Sequence, residues 1–157
     1  MPSAVDKRLA QLGIVLPSPG APGGNYVPFV VAGDLVFMAG QVARSEGRIA
    51  YAGKVGRDLG VEQGQAAARL CALNLLAQLR VACNGDLDRV TRCVRLGGFV
   101  NCAPDFKDQP KVVNGASDLM IEVFGERGKH ARTAVGVAAL PSDSAVEVEA
   151  VFQLSAP

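Results

Sequence analysis

Two alternating segments near the C-terminal end carry the residues best placed to do chemistry. In Ala145 to Leu154, Val146, Val148, Ala150, Phe152 and Leu154 share one face, so Glu147 and Glu149 share the other, because successive side chains of a strand point to opposite sides. In Ala131 to Leu140 the same alternation separates Val135 and Val137 from Arg132, Ala134 and Gly136. If both valine sets turn toward the core, the arginine and the two glutamates project together from the opposite face. The turn-forming cluster Pro141-Ser142-Asp143-Ser144 lies between the segments, so they read as a hairpin. A symmetric turn sets Glu147 across from Gly136 and Glu149 across from Ala134, and leaves Arg132 diagonal to Glu149. A guanidinium holds a carboxylate through two parallel hydrogen bonds and a nearby glutamate can orient a water, so this face suits a small carboxylic acid. From pattern alone, a diagonal Arg132–Glu149 salt bridge on a solvated face is the simpler reading. Val151 on the same face argues against open solvent.

The elements that must position these residues follow from periodicity. Ser3 through Leu12 predicts a short helix, with Ser3 and Asp6 at capping-box spacing and Gly13 at its end. Pro17 to Gly24 is a Pro/Gly-rich loop. Tyr26 to Ala32 and Leu35 to Ala39 predict two strands joined at Gly33-Asp34, and a short strand is expected around Ile49 to Ala52. The widest apolar stripe, through Ala68, Ala72, Leu75, Leu76, Leu79 and Cys83, predicts a helix from about Asp58 or Val61 to Cys83 that presses on a sheet. Val90 to Asn101 predicts a strand, with a bulge or a close backbone approach at Gly97-Gly98. A second long helix is expected from Asp108 to Gly125, with Pro110 in its first turn. The order predicts an α+β fold with helices layered on one face of a sheet, in one unit spanning 1–157.

Composition narrows the function. At 157 residues, 49% hydrophobic and 20% charged, the chain can bury one ordinary core. A formal charge of +1 and 5% aromatic residues disfavour nucleic acid as a partner, since single-stranded RNA calls for basic grooves and stacking rings. The absence of a signal core or a long apolar run leads us to expect a cytoplasmic protein with no membrane partner. Cys71, Cys83, Cys93 and Cys102 form no CxxC pair, and with the single His130 they make no zinc pattern, so no metal is expected. The thiols are expected to be buried and free, with a reactive Cys102 as the lesser alternative. His130, just before Arg132, could act as an acid or base, but a lone histidine at a strand end reads more simply as a surface residue.

The run from Ala131-Arg132-Thr133 through Leu140-Pro141, followed by Val146-Glu147-Val148-Glu149-Ala150, resembles the C-terminal signature of the reactive intermediate deaminase family, the Rid or YjgF group also called endoribonuclease L-PSP. Asn25-Tyr26-Val27 and Met38-Ala39-Gly40-Gln41 are similar to that family's Pro-Tyr and Ser-Gly-Gln segments. The resemblance covers most of Tyr26 to Leu154. It implies a chorismate-mutase-like fold with a mixed β-sheet and two main helices packed on one face, a homotrimer with the sheets facing inward, and clefts between subunits. There 2-imino and 2-enamino acids would be hydrolysed to 2-oxo acids and ammonia without any cofactor. By position, Arg132 would grip the substrate carboxylate, Glu147 would orient water, and Tyr26 and Asn114 would line the cleft. Ala39 and Ala134 occupy substrate-binding positions where active members commonly carry serine and several carry cysteine. The segment 1–24 is an N-terminal addition, and the chain resembles a divergent branch. A small-molecule sensor using the same cleft is the alternative function, and endoribonuclease activity the third.

Overall fold

The computed structural model describes residues 1–156; Pro157, the last residue of the expected unit, lies outside them. The elements are α1 (Ala4–Gln11), β1 (Phe29–Ala32), β2 (Leu35–Val42), the short pair β3 (Arg44–Ser45) and β4 (Arg48–Ile49), α2 (Val61–Ala82), β5 (Val90–Asn101), α3 (Gln109–Phe124), β6 (Ala131–Val137) and β7 (Val146–Leu154). Five strands form one mixed sheet in the order β1-β2-β7-β5-β6. Its pairs are antiparallel except β5/β6, which is parallel. Helices α2 and α3 cover one face.

Local chemistry explains where the elements begin and end. Ser3 Oγ accepts from the Asp6 amide at 3.1 Å while Asp6 accepts from the Ser3 amide at 3.2 Å, which is the expected capping box. The first amides of α1, those of Ala4 and Val5, donate to the Asp88 carboxylate at 2.8 Å each, so the N-terminal helix is fastened to the turn before β5. On α2, Ala67, Ala68, Cys71, Ala72, Leu75, Leu76 and Leu79 are fully buried, as are Val146, Val148 and Phe152 on the sheet. The stripe is wide because it lies on a sheet and also meets α3. Gly115 permits that second contact: a Cβ there would collide with the backbone of Gln65 on α2. All four cysteines are free and buried. No helix among the described residues is long and apolar enough to cross a membrane.

Gly97 and Gly98 mark a close approach rather than a bulge. A Cβ on Gly98 would meet Val113 of α3 at 2.5 Å, and one on Gly97 would meet Glu149 at 2.8 Å. The register shifts of β5 fall earlier, between Val90 and Arg92 and between Cys93 and Arg95.

The hairpin expected of the last two strands does not form. β5 lies between β6 and β7, so Arg132 stands beside Leu96, Glu147 beside Phe99 and Glu149 beside Gly97. A strand–helix–strand order with α3 as crossover is how parallel strands are joined, and β5-α3-β6 follows it. The expected facing of β6 is also inverted. Leu96 is fully buried beneath the helices, so its neighbour Arg132 lies on the helix face; Val135 lies beside Phe99 on the open face and is 40% exposed. Valines turn outward here because β6 is an edge strand and the open face of the sheet is apolar in part. Val30, Phe37 and Val151 share that face, and Val30 and Phe37 are exposed.

Gly115→Ala is expected to lower unfolding free energy by about 1–3 kcal/mol, because overpacking must push two helix backbones apart. Urea titration of the two proteins measures this, and an unchanged midpoint would show that the helices separate without strain.

Candidate functional site

Arg132 begins on the helix face of β6 and reaches along α3. Its Nη1 donates to Asn114 Oδ1 at 2.7 Å and to Ser117 Oγ at 3.2 Å, and its Nη2 donates to the Pro110 carbonyl at 3.3 Å. Asn114 and Ser117 stand one helical turn apart, which places them on the same side of α3. Every one of these acceptors is neutral, and no ion pair among the described residues includes Arg132. A guanidinium carries five N–H donors. Three are engaged, and Nε–H and one Nη2–H remain, the number a carboxylate accepts in bidentate fashion. Ala134 lies two residues further along the same face of β6, as expected.

The carboxylates lie on the other side of the sheet. The anticipated Arg132–Glu149 contact is absent because Arg95 takes Glu149, at 3.3 Å. Arg95 also donates to Thr133 Oγ1 at 3.4 Å. Glu147 has no cationic partner among the described residues. Its half-burial, and secondly the charge of Glu149, push its carboxyl above the ordinary glutamate range.

Glu147 opens into a cleft of about 900 Å³ whose lining includes Tyr26, Pro28, Gly40, Gln41, Asn74 and Gln78. The cleft is braced from α2, one turn apart: Asn74 Nδ2 donates to the Val42 and Arg44 carbonyls at 3.2 and 3.0 Å, and Gln78 Nε2 donates to the Gly20 carbonyl at 2.8 Å. The Pro/Gly-rich loop is therefore a wall of the cleft, and Tyr26 OH accepts from the Gly23 amide at 3.2 Å within it. The segment Ala39-Gly40 forms a bulge in β2, since Met38 pairs with Ala150 and Gln41 with Val148. Gly40 has to be glycine for Glu147 to lie as it does, because a Cβ would collide with Oε1.

The site residues read from the sequence therefore fall into two groups. Arg132, Asn114 and Ala134 gather at the α3/β6 edge, while Tyr26 and Glu147 line the cleft and Ala39 sits in its bulge. One chain does not bring the groups together. Ser117 and His130 were missed. Ser117 is 8% exposed, and His130, expected at the surface, is half-buried with Nε2 at 2.8 Å from Ser117 Oγ. The i, i+3 spacing of Asn114 and Ser117 was the available signal.

A mixed five-stranded sheet with two helices on one face, an edge arginine held by neutral acceptors and a carboxylate set in a bulge-lined cleft define the class as an α+β protein. The chain belongs to the family described as "YjgF/chorismate_mutase-like, putative endoribonuclease", whose model matches residues 6–154. Protein TCP17 of Trypanosoma cruzi is 49% identical over 152 residues, 96% of this chain and 94% of that protein. Among solved structures, protein Atu1372 of Agrobacterium tumefaciens, of unknown function, superimposes with a TM-score of 0.90 at 46% identity, covering 96% of this chain and 92% of that one. TdcF of E. coli, solved with bound serine, matches at a TM-score of 0.62 and 27% identity over 88% and 94% of the two chains.

The elevated Glu147 carboxyl gives a stability test. With the folded pKa raised, the stabilising contribution is complete below the unfolded value near 4.3 and is lost as pH rises through the folded value. Glu147→Gln should therefore melt above the wild type at pH 7 to 8, and the difference should shrink toward zero near pH 4. Identical melting temperatures across that range would show that the carboxylate is adequately solvated.

Proposed function

We propose that this protein hydrolyses 2-imino or 2-enamino acids to 2-oxo acids and ammonia in clefts shared between three copies of the chain. The observation that carries the reading is an Arg132 fork held in place by neutral acceptors with two donors left over. Such a cation is completed by an anionic group from outside, and the serine bound to TdcF carries a carboxylate of the kind the fork accepts. Exposed Val30 and Phe37 stand in one cross-strand row with Val151, and exposed Val135 lies on the same open face beyond the Arg95–Glu149 pair; apolar surface of this kind supports assembly, because it is normally covered. Assembly through that face would set the Arg132 group of one copy against the Glu147 cleft of the next.

In this reading Arg132 fixes the substrate carboxylate. The Glu147 carboxylate takes a proton from a water whose oxygen adds to the C=N carbon. The proton passes to nitrogen, the carbinolamine collapses, and ammonia leaves with the 2-oxo acid as co-product. A carboxylate with a raised pKa is the better base for this step. A second reading, binding without turnover, is favoured by Ala39, which offers no hydroxyl beside the cleft.

Ammonia release from freshly generated 2-aminoacrylate tests the choice. The wild type should accelerate it, Glu147→Gln should lose about 100-fold or more in kcat, and Arg132→Ala should lose about 100-fold in kcat/KM. Gly40→Ala should reduce kcat while leaving the fold intact, because only the flexible end of Glu147 must move. No acceleration by the wild type, together with retained binding of pyruvate, would replace the hydrolase by the binding protein.

A further inference from the structure

The hydrogen-bond directions around Ser117 can be assigned one by one. His130 Nδ1 lies 2.6 Å from the Gly128 carbonyl, which can only accept, so Nδ1 carries the proton. In the neutral ring Nε2 is then an acceptor, and Ser117 Oγ at 2.8 Å must donate to it. The hydroxyl has one hydrogen, now committed, so toward Arg132 Nη1 at 3.2 Å it presents a lone pair. The chain Gly128 carbonyl, imidazole, hydroxyl, guanidinium thus has a single consistent polarity. Gly128 packs closely against α3, since a Cβ there would collide with the Met120 backbone. One end of the chain thus sits against α3, and its far end is the arginine.

We propose that Ser117 and His130 are positioning residues for acid binding: they hold the Arg132 fork so that its two unengaged donors face a ligand carboxylate. This rests on the reading of Arg132 as the carboxylate anchor given above. Asn114 is exposed and engages the same nitrogen from the solvent side, so on its own it leaves the fork free to swing. Ser117, buried, supplies the second contact on Nη1 and thereby sets the plane of the guanidinium. His130 contributes by denying Ser117 the opposite orientation. With its hydrogen pointed at Arg132, the hydroxyl would repel the cation.

Two replacements of the imidazole separate this role from simple support of the Gly128 turn. His130→Asn can keep a donor at the Nδ1 position for the Gly128 carbonyl but cannot reach Ser117. His130→Gln can place an amide oxygen near the Nε2 position to accept from Ser117 while losing the Gly128 contact. Pyruvate and benzoate binding by calorimetry is expected to weaken about five- to twentyfold in His130→Asn and in Ser117→Ala. It should stay within about threefold of wild type in His130→Gln. The 15N shifts of His130 should place the ring proton on Nδ1, facing the Gly128 carbonyl.

The reverse order, with His130→Asn binding normally and His130→Gln weakly, would assign the histidine to the turn and overturn the proposal while leaving the anchor intact. Equal binding by all variants, or a ring protonated at Nε2, would do the same. If the wild type itself binds neither acid, the anchor reading fails and this inference falls with it.

Discussion

A guanidinium cannot shed its proton at any working pH, so wherever it is partly removed from water its charge has to be answered by something. The two arginines of the sheet answer that demand differently. Arg95, on the open face, is answered within the chain by Glu149. Arg132, on the helix face, receives only an amide oxygen, a hydroxyl and a backbone carbonyl. Those groups orient the fork without cancelling its charge, which leaves an oriented and uncompensated cation at a sheet edge. The crossover through α3 makes this possible. Because β6 is parallel to β5 and lies one strand removed from β7, the glutamates stay out of reach of the arginine that alternation alone would have given them.

What could be read from residue order and what could not divides along the same line. Elements defined by their own periodicity matched: the Ser3 cap, the wide stripe of α2, the start of α3 around Pro110, and β5 from Val90 to Asn101. Alternation also sorted Arg132, Ala134 and Gly136 onto one face of β6. The choice of which face failed, because it assumed that valines turn inward, and an apolar sheet face left open removes that assumption. The pairing of β6 failed for a related reason. Two strands separated by a short turn look like neighbours, and nothing in their spacing reports a third strand inserted between them. The order of β5, a helix and β6 did carry that information, since a helical crossover favours parallel neighbours. The resemblance brought Arg132 and Asn114 together, and the structure finds them 2.7 Å apart. It offered no pointer to Ser117 or His130, whose roles depend on the direction of hydrogen bonds.

Small residues make room for the charges on the sheet. Glycine in a strand weakens pairing and packing, yet Gly40 and Gly97 lie where Glu147 and Glu149 rest against the backbone of neighbouring strands. Side chains at those positions would lift the carboxylates off the sheet and into water. Burial, and secondly the charge of Glu149 on the same strand face, raises the energy of ionising Glu147, while Arg95 pairs with Glu149 alone. Glu147 is left half-buried, repelled by its neighbour and without a cation among the described residues, which raises its basicity above that of an ordinary glutamate. Two chemically identical residues two positions apart thus acquire different properties from one arginine, and the one without a partner is the one that faces the cleft.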